Sequence, residues 1–176
     1  MAAKSILMIC GSVREGSVNA AVIGAAAELL PPGFDAVIYR GIGSLPHFNP
    51  DLDREPLPPE VAELRRLIGE SSALLFSTPE YAGVMPGALK NLLEWTVGGV
   101  ETSDKPTGWI NPASIHNRAA GTYEQLKIVL QYTDCLLIDE ACVSIPVPRG
   151  LVDADGRIAD TEVRTAIAGA LGALTA

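Results

Sequence analysis

Ile6-Leu7-Met8-Ile9-Cys10-Gly11-Ser12-Val13-Arg14-Glu15-Gly16-Ser17-Val18-Asn19 is an apolar run, then a loop of glycines and hydroxyls, then the first residues of an alanine-rich helical pattern. The order strand, loop, helix puts unpaired backbone N–H groups and the positive end of a helix dipole at the loop, so an anion is stabilised there before any side chain acts. Gly11 and Gly16 allow the backbone to bend around a phosphate. Ser12, Ser17 and Asn19 offer hydrogen-bond donors, and Arg14 adds a permanent positive charge.

The spacing excludes several phosphate loops. A P-loop needs Lys followed by Ser or Thr after its second glycine, and the dinucleotide fingerprint needs Gly-x-Gly-x-x-Gly; neither is present. Low-molecular-weight tyrosine phosphatases also place a Cys at a strand end, but with a longer stretch before their Arg. Here only Gly11, Ser12 and Val13 separate Cys10 from Arg14, too few to wrap a phosphate between the two.

Outward from this loop, apolar strands alternate with helical patterns. Strands are expected at Ser5 to Cys10, Phe34 to Tyr39, Ala73 to Thr78, Thr107 to Ile110 and Cys135 to Ile138, apolar on both faces as a parallel sheet covered on both sides requires. Helices are expected at Ser17 to Leu30, Pro59 to Glu70, Gly87 to Trp95, Tyr123 to Tyr132 and Asp160 to Leu174. Pro31-Pro32-Gly33 stops the first helix and Pro58-Pro59 starts the second. Gly41 to Pro58 and Ala141 to Gly156 read as long loops suited to function or subunit contact. The fold class is therefore α/β, a flavodoxin-like three-layer sandwich with a five-stranded parallel sheet, and residues 1–176 form one domain. In such sheets ligands sit at the carboxyl ends of the strands where strand order reverses, so the loops after the first, third and fourth strands should meet around one pocket.

The chain carries 13 Lys and Arg against 21 Asp and Glu, a net charge of −8, which speaks against nucleic acid or an anionic membrane surface as partner and for small molecules. No apolar run approaches the roughly 18 residues of a membrane span, and the N-terminus lacks a signal-peptide layout, so a cytoplasmic location is expected. Three cysteines fit reduced thiols better than a disulfide framework, with Cys10 and Cys135 expected to be buried beside strands. His47 and His116 stand away from other metal-ligating residues, so no metal site is expected. No Gly-x-Ser-x-Gly elbow supports a serine hydrolase.

The third strand leads into Thr78-Pro79-Glu80-Tyr81-Ala82-Gly83-Val84-Met85-Pro86-Gly87-Ala88-Leu89-Lys90-Asn91. Pro79 sets the exit angle, Gly83 and Gly87 let a flat ligand approach the backbone, and Tyr81 offers an aromatic face. Main-chain N–H groups from Glu80 to Gly83 are placed to bond the ligand's polar edge. These two segments together resemble the NAD(P)H-dependent FMN reductases of flavodoxin-like fold, a family that includes flavin, quinone, azo-dye and chromate reductases. The resemblance covers most of the chain. It implies FMN as cofactor and NADPH or NADH as donor. It places Ser12, Arg14, Ser17, Val18 and Asn19 at the flavin phosphate, and Pro79, Glu80, Tyr81, Ala82 and Gly83 beside the isoalloxazine, with Asn111 reaching the ring from the fourth strand. It also implies a homodimer or homotetramer, with the long loops as interface material and Lys90-Asn91 and Trp95 in packing or subunit contacts.

Two departures from the family pattern stand out. Ala82-Gly83 replaces the Asn that commonly follows the motif Tyr. The third loop reads Asn111-Pro112-Ala113-Ser114-Ile115-His116-Asn117-Arg118, where relatives carry small residues with a glycine pair. The implied reaction is hydride transfer from the nicotinamide through flavin to a quinone, free flavin or similar acceptor, with ping-pong kinetics and no catalytic side chain. The alternatives are a flavodoxin-like electron carrier and a non-catalytic flavin-fold binding protein.

Overall fold

The continuous apolar runs become the buried centre of a sheet because helices cover them on both faces. A computed structural model describes residues 4–114 and 119–176. Its strands are β1 (Lys4–Cys10), β2 (Phe34–Tyr39), β3 (Ala73–Ser77), β4 (Pro106–Asn111) and β5 (Leu136–Ser144), all parallel, in the order β2-β1-β3-β4-β5. The helices are α1 (Val18–Glu28), α2 (Pro59–Glu70), α3 (Gly87–Glu94), α4 (Ala120–Tyr132) and α5 (Thr161–Leu174).

Side chains alternate across each strand, and the two faces recruit different helices. Leu7, Ile9, Leu74 and Phe76 pack with α2, α3 and α4 through Leu64, Leu89 and Leu126. Ile6, Met8, Leu75 and Ile110 pack with α1 and α5 through Val22, Ile23, Ile167 and Leu171. The result is three layers. From β1 the chain crosses one way to β2 and then returns past β1 to β3, so the reversal of strand order lies between the carboxyl ends of β1 and β3.

The starts of α1, α5 and α2 have chemical reasons. Ser17 caps α1, its Oγ accepting from the Ala20 N–H at 3.1 Å, and Asp160 caps α5 by accepting from Val163 N–H at 2.9 Å. Proline at the start of α2 has no N–H to leave unpaired.

The fifth strand departs from expectation. Asp139 and Glu140 interrupt its apolar run, and Ala141 onward reads as loop, yet β5 continues to Ser144. Leu137 pairs with Thr107 and Cys142 with Trp109, so the residues between them form a bulge opposite Gly108. A Cβ on Gly108 would lie 2.7 Å from the Ala141 Cβ, so this close approach requires glycine. The bulge carries Asp139 and Glu140 into solvent and lets the apolar pairing resume.

The loop 41–58 is stitched to its own chain. Asn91 accepts from Phe48 N–H at 2.8 Å and donates to the Pro46 carbonyl at 2.9 Å, and the Trp95 indole N–H donates to the same carbonyl at 2.8 Å. Trp95 is fully buried among α2, α3 and this loop. Of the two places expected for Trp95, packing or a subunit contact, the structure gives packing: it is a core residue, and Asn91 is a loop anchor. No helix among the described residues is long and apolar enough to cross a membrane.

Candidate functional site

At the carboxyl ends of β1, β3 and β4 lies a cavity of about 300 Å³. Val18 and Asn19 at the start of α1 form one wall. Thr78, Pro79 and Glu80 follow β3, Asn111 to Ser114 follow β4, and Ala119 precedes α4. Val147 and Arg149, from the loop after β5, close the remaining side. Five residues expected from sequence, Val18, Asn19, Pro79, Glu80 and Asn111, thus share this cavity. The part of the third loop formed by Ile115, His116, Asn117 and Arg118 lies outside the described residues.

The remaining residues of the first loop divide differently. Ser12 and Arg14 line a neighbouring hollow of about 610 Å³ between this loop and the end of β2, together with Cys10, Tyr39 and Arg40. Ser12 Oγ accepts from the Arg14 N–H at 3.2 Å, closing a local turn. Ser17 is buried as the helix cap. Both hydroxyls accept through lone pairs in these bonds and keep an O–H proton for another acceptor.

The two glycines of this loop do different work. Gly16 adopts φ +60°, the left-handed conformation that glycine tolerates. Gly11 instead permits contact: a Cβ there would fall 2.6 Å from Thr78 Cβ, and its N–H donates to Ser77 O at 2.9 Å. Ser77 Oγ in turn donates to Asn19 Oδ1 at 2.9 Å inside the core. That bond orients the Asn19 carboxamide and leaves its N–H₂ group as the remaining donor.

Tyr123, by sequence only the expected start of the fourth helix, joins two loops of the site. Its hydroxyl accepts from Thr78 N–H at 3.0 Å and faces the carbonyls of Thr78, at 3.1 Å, and Ile110, at 2.9 Å, as acceptors for its proton. One phenol therefore ties the loop after β3 to the end of β4. Burial pushes its pKa far up, so it stays neutral and remains a donor. The legible signal was a polar tip on the buried face shared with Leu126 and Leu130, since a buried phenol needs a partner.

Beyond Glu80 the second loop turns sharply. Tyr81 N–H donates to Val84 O at 2.9 Å and Val84 N–H donates back to Tyr81 O at 3.1 Å. Ala82 and Gly83 between them both have positive φ, 53° and 81°, the pattern of a type I′ turn. The Tyr81 amide is thus engaged inside the turn, contrary to the expectation that it faces a ligand. The Tyr81 side chain is half exposed at the tip. Tyr81, Ala82 and Gly83 lie just past the residues that line the cavity.

Cys10 occupies the position a phosphatase nucleophile would hold, and its environment argues against that chemistry. Burial raises its thiol pKa, against smaller lowering effects from Ser12 and Ser17, whereas a nucleophilic cysteine needs a lowered one. Its Sγ lies 3.7 Å from the Ser12 carbonyl, an acceptor for the thiol proton. Among the described residues no group of three or more His, Cys, Asp or Glu side chains is placed to hold a metal.

Sheet order and the position of the cavity at the strands' carboxyl ends define a flavodoxin-like protein. Residues 5–148 match the family model of NADPH-dependent FMN reductases, and the chain belongs to that family. It is 33% identical over 171 residues to an NAD(P)H-dependent FMN reductase of Pseudomonas aeruginosa, covering 96% of this chain and 92% of the relative. A 2-hydroxy-1,4-benzoquinone reductase of a Burkholderia species is 32% identical over 166 residues, covering 92% and 89%. Among solved structures, the flavoenzyme NAD(P)H:(acceptor) oxidoreductase FerB of Paracoccus denitrificans superposes with a TM-score of 0.79 at 27% identity, covering 97% of this chain and 94% of that one. By family this chain is an NAD(P)H-dependent FMN/quinone reductase.

Proposed function

We propose that the cavity at the β1/β3 switch point holds FMN and that the protein carries a hydride equivalent from NADPH or NADH to a quinone or similar small acceptor. The observation that supports this most is the convergence of Asn19, Pro79-Glu80 and Asn111 on one cavity at the start of a helix whose first turn carries no acidic side chain. The donor set suits a phosphate there: the N-terminal amides of α1, the Ser17 O–H and the Asn19 amide. The apolar surfaces of Val18, Pro79 and Val147 suit a flat ring system.

When bound, the flavin supplies the redox chemistry, accepting hydride from the nicotinamide and passing reducing equivalents onward. The protein's part is to bind, orient and exclude water. Asn19, oriented by Ser77, holds the phosphate end. Pro79 and the clamp at Tyr123 hold the loop after β3 rigid, so that it forms a fixed wall rather than a moving lid. Of this loop's cavity-lining residues Thr78 gives its N–H to Tyr123 and Pro79 has none, so the Glu80 N–H is the backbone donor that would stabilise negative charge on the ring edge. No side chain of the site is assigned as acid or base. Tyr81 and the turn beyond it stand at the mouth, where the nicotinamide and the acceptor alternate, and we place a second copy of the chain around that mouth as a homodimer or homotetramer.

An anaerobic absorption titration of FMN-loaded protein with NADPH and then NADH tests the reading. Stoichiometric bleaching, reversed by a quinone, is the expected result and names the preferred donor. Bound flavin that neither nucleotide bleaches would make the protein an electron carrier instead, and protein that never retains flavin would leave a binding module.

A further inference from the structure

We infer that Arg149, on the loop that follows β5, binds the phosphate of the flavin nucleotide and supplies the cation at that end of the site. The inference rests on the flavin reading above and goes beyond it in naming a residue outside both sequence motifs and one position past the segment matched by the family model.

Three observations meet at this residue. Arg149 lines the same cavity as Val18 and Asn19, and among the described lining residues it and Glu80 carry the only charges. A phosphate entering beside Glu80 in a chain of net charge −8 needs a cation, and α1 offers none in its first turn. Arg14, the cation expected from sequence, lines the neighbouring hollow with Arg40.

The second observation is position. Arg149 Nη1 donates to the Gly16 carbonyl at 2.8 Å, one residue before the Ser17 cap. That bond holds the guanidinium beside the helix start, where the backbone already favours an anion. A guanidinium has five N–H donors in a planar fork, so the bond to Gly16 leaves donors for phosphate oxygens.

The third is preorganisation. The loop is fastened by Ile145 N–H to Asn111 O at 2.9 Å and by Val147 N–H to Pro112 O at 3.0 Å, and Pro146 and Pro148 restrict the backbone on either side. It forms a strap from the end of β4 to the phosphate loop, with Arg149 at its far attachment. An arginine held this way loses little further freedom when the phosphate arrives.

The test is an equilibrium titration of flavin-free protein with FMN and with riboflavin, read by quenching of flavin fluorescence, for the wild type, Arg149→Ala, Arg149→Lys and Arg14→Ala. Removing a charge-assisted fork should weaken FMN about 10- to 100-fold while riboflavin, which lacks the phosphate, stays within about twofold of wild type. Arg149→Lys should recover part of the loss, since an ammonium keeps the charge without the fork. Equal weakening of FMN and riboflavin would reduce Arg149 to a fastener of the strap, and a loss confined to Arg14→Ala would return the phosphate to the residue expected from sequence; either overturns the inference while flavin binding stands. Wild-type protein that binds neither flavin overturns the flavin reading and this inference with it.

Discussion

The loops after β1 and β3 approach the same cavity differently. The first exposes Val13 to Gly16 but is packed at both ends: Gly11 lies against Thr78, Ser12 and Ser17 accept backbone N–H groups, and Ser77 holds Asn19. Beyond Glu80 the second is exposed and holds an alanine in the left-handed region. The difference separates two tasks. On the flavin reading proposed above, a phosphate would be the same in every turnover and would reward donors fixed in advance, whereas the mouth would admit a nicotinamide and then an acceptor.

The contrast breaks most severely at Gly11. Gly11→Val puts a branched side chain into Thr78 and Leu89, and overpacking of this kind should cost about 3 kcal/mol. Urea denaturation should show the loss, together with failure to retain flavin; a variant of wild-type stability would mean that the packing of the first loop is looser than described. The join between the two loops breaks next. Tyr123→Phe removes the partner of Thr78 N–H and should cost about 2 kcal/mol.

Tyr123→Phe also carries a pH signature. The folded phenol titrates above its ordinary value, so from about pH 10 upward the unfolded chain releases a proton that the folded chain retains, and stability falls as pH rises. That part of the alkaline slope should vanish in Tyr123→Phe; an unchanged slope in chemical denaturation across that range would show that Tyr123 is not the group responsible.

At the second loop the expected effect is smaller and opposite in sign. Ala82 has φ +53°, a conformation Asn tolerates better than Ala. Ala82→Asn should stabilise the protein by up to about 1 kcal/mol while leaving riboflavin affinity unchanged. A fall in melting temperature would show that the turn needs alanine for a reason beyond backbone conformation.

Much of the fold was legible. The helix boundaries at Ser17, Pro59 and Asp160 follow from capping and from proline, which act over a few residues and leave local marks. The end of β5 did not, because Asp139 and Glu140 break the apolar run and only the neighbouring strand, through Gly108 and Trp109, shows that pairing resumes. Trp95 was left between packing and a subunit contact for a related reason: a tryptophan on an amphipathic helix reads alike whether a partner subunit or the chain's own loop covers it. Arg149 lies 133 positions from Gly16, and no local pattern announces that bond.

The sequence alone was enough for the layered α/β architecture, the capped start of α1 and the meeting of Val18 and Asn19 with Pro79 and Glu80 at one cavity, because periodicity, capping and turn chemistry are properties of neighbours in the chain. Tertiary structure alone decided how the first loop's residues divide between two hollows, that Tyr123 ties β3 to β4, and that Arg149 arrives beside the helix start. Those outcomes depend on which distant groups the completed sheet brings within hydrogen-bond reach, and that is set by the crossing of strands rather than by any stretch of residues.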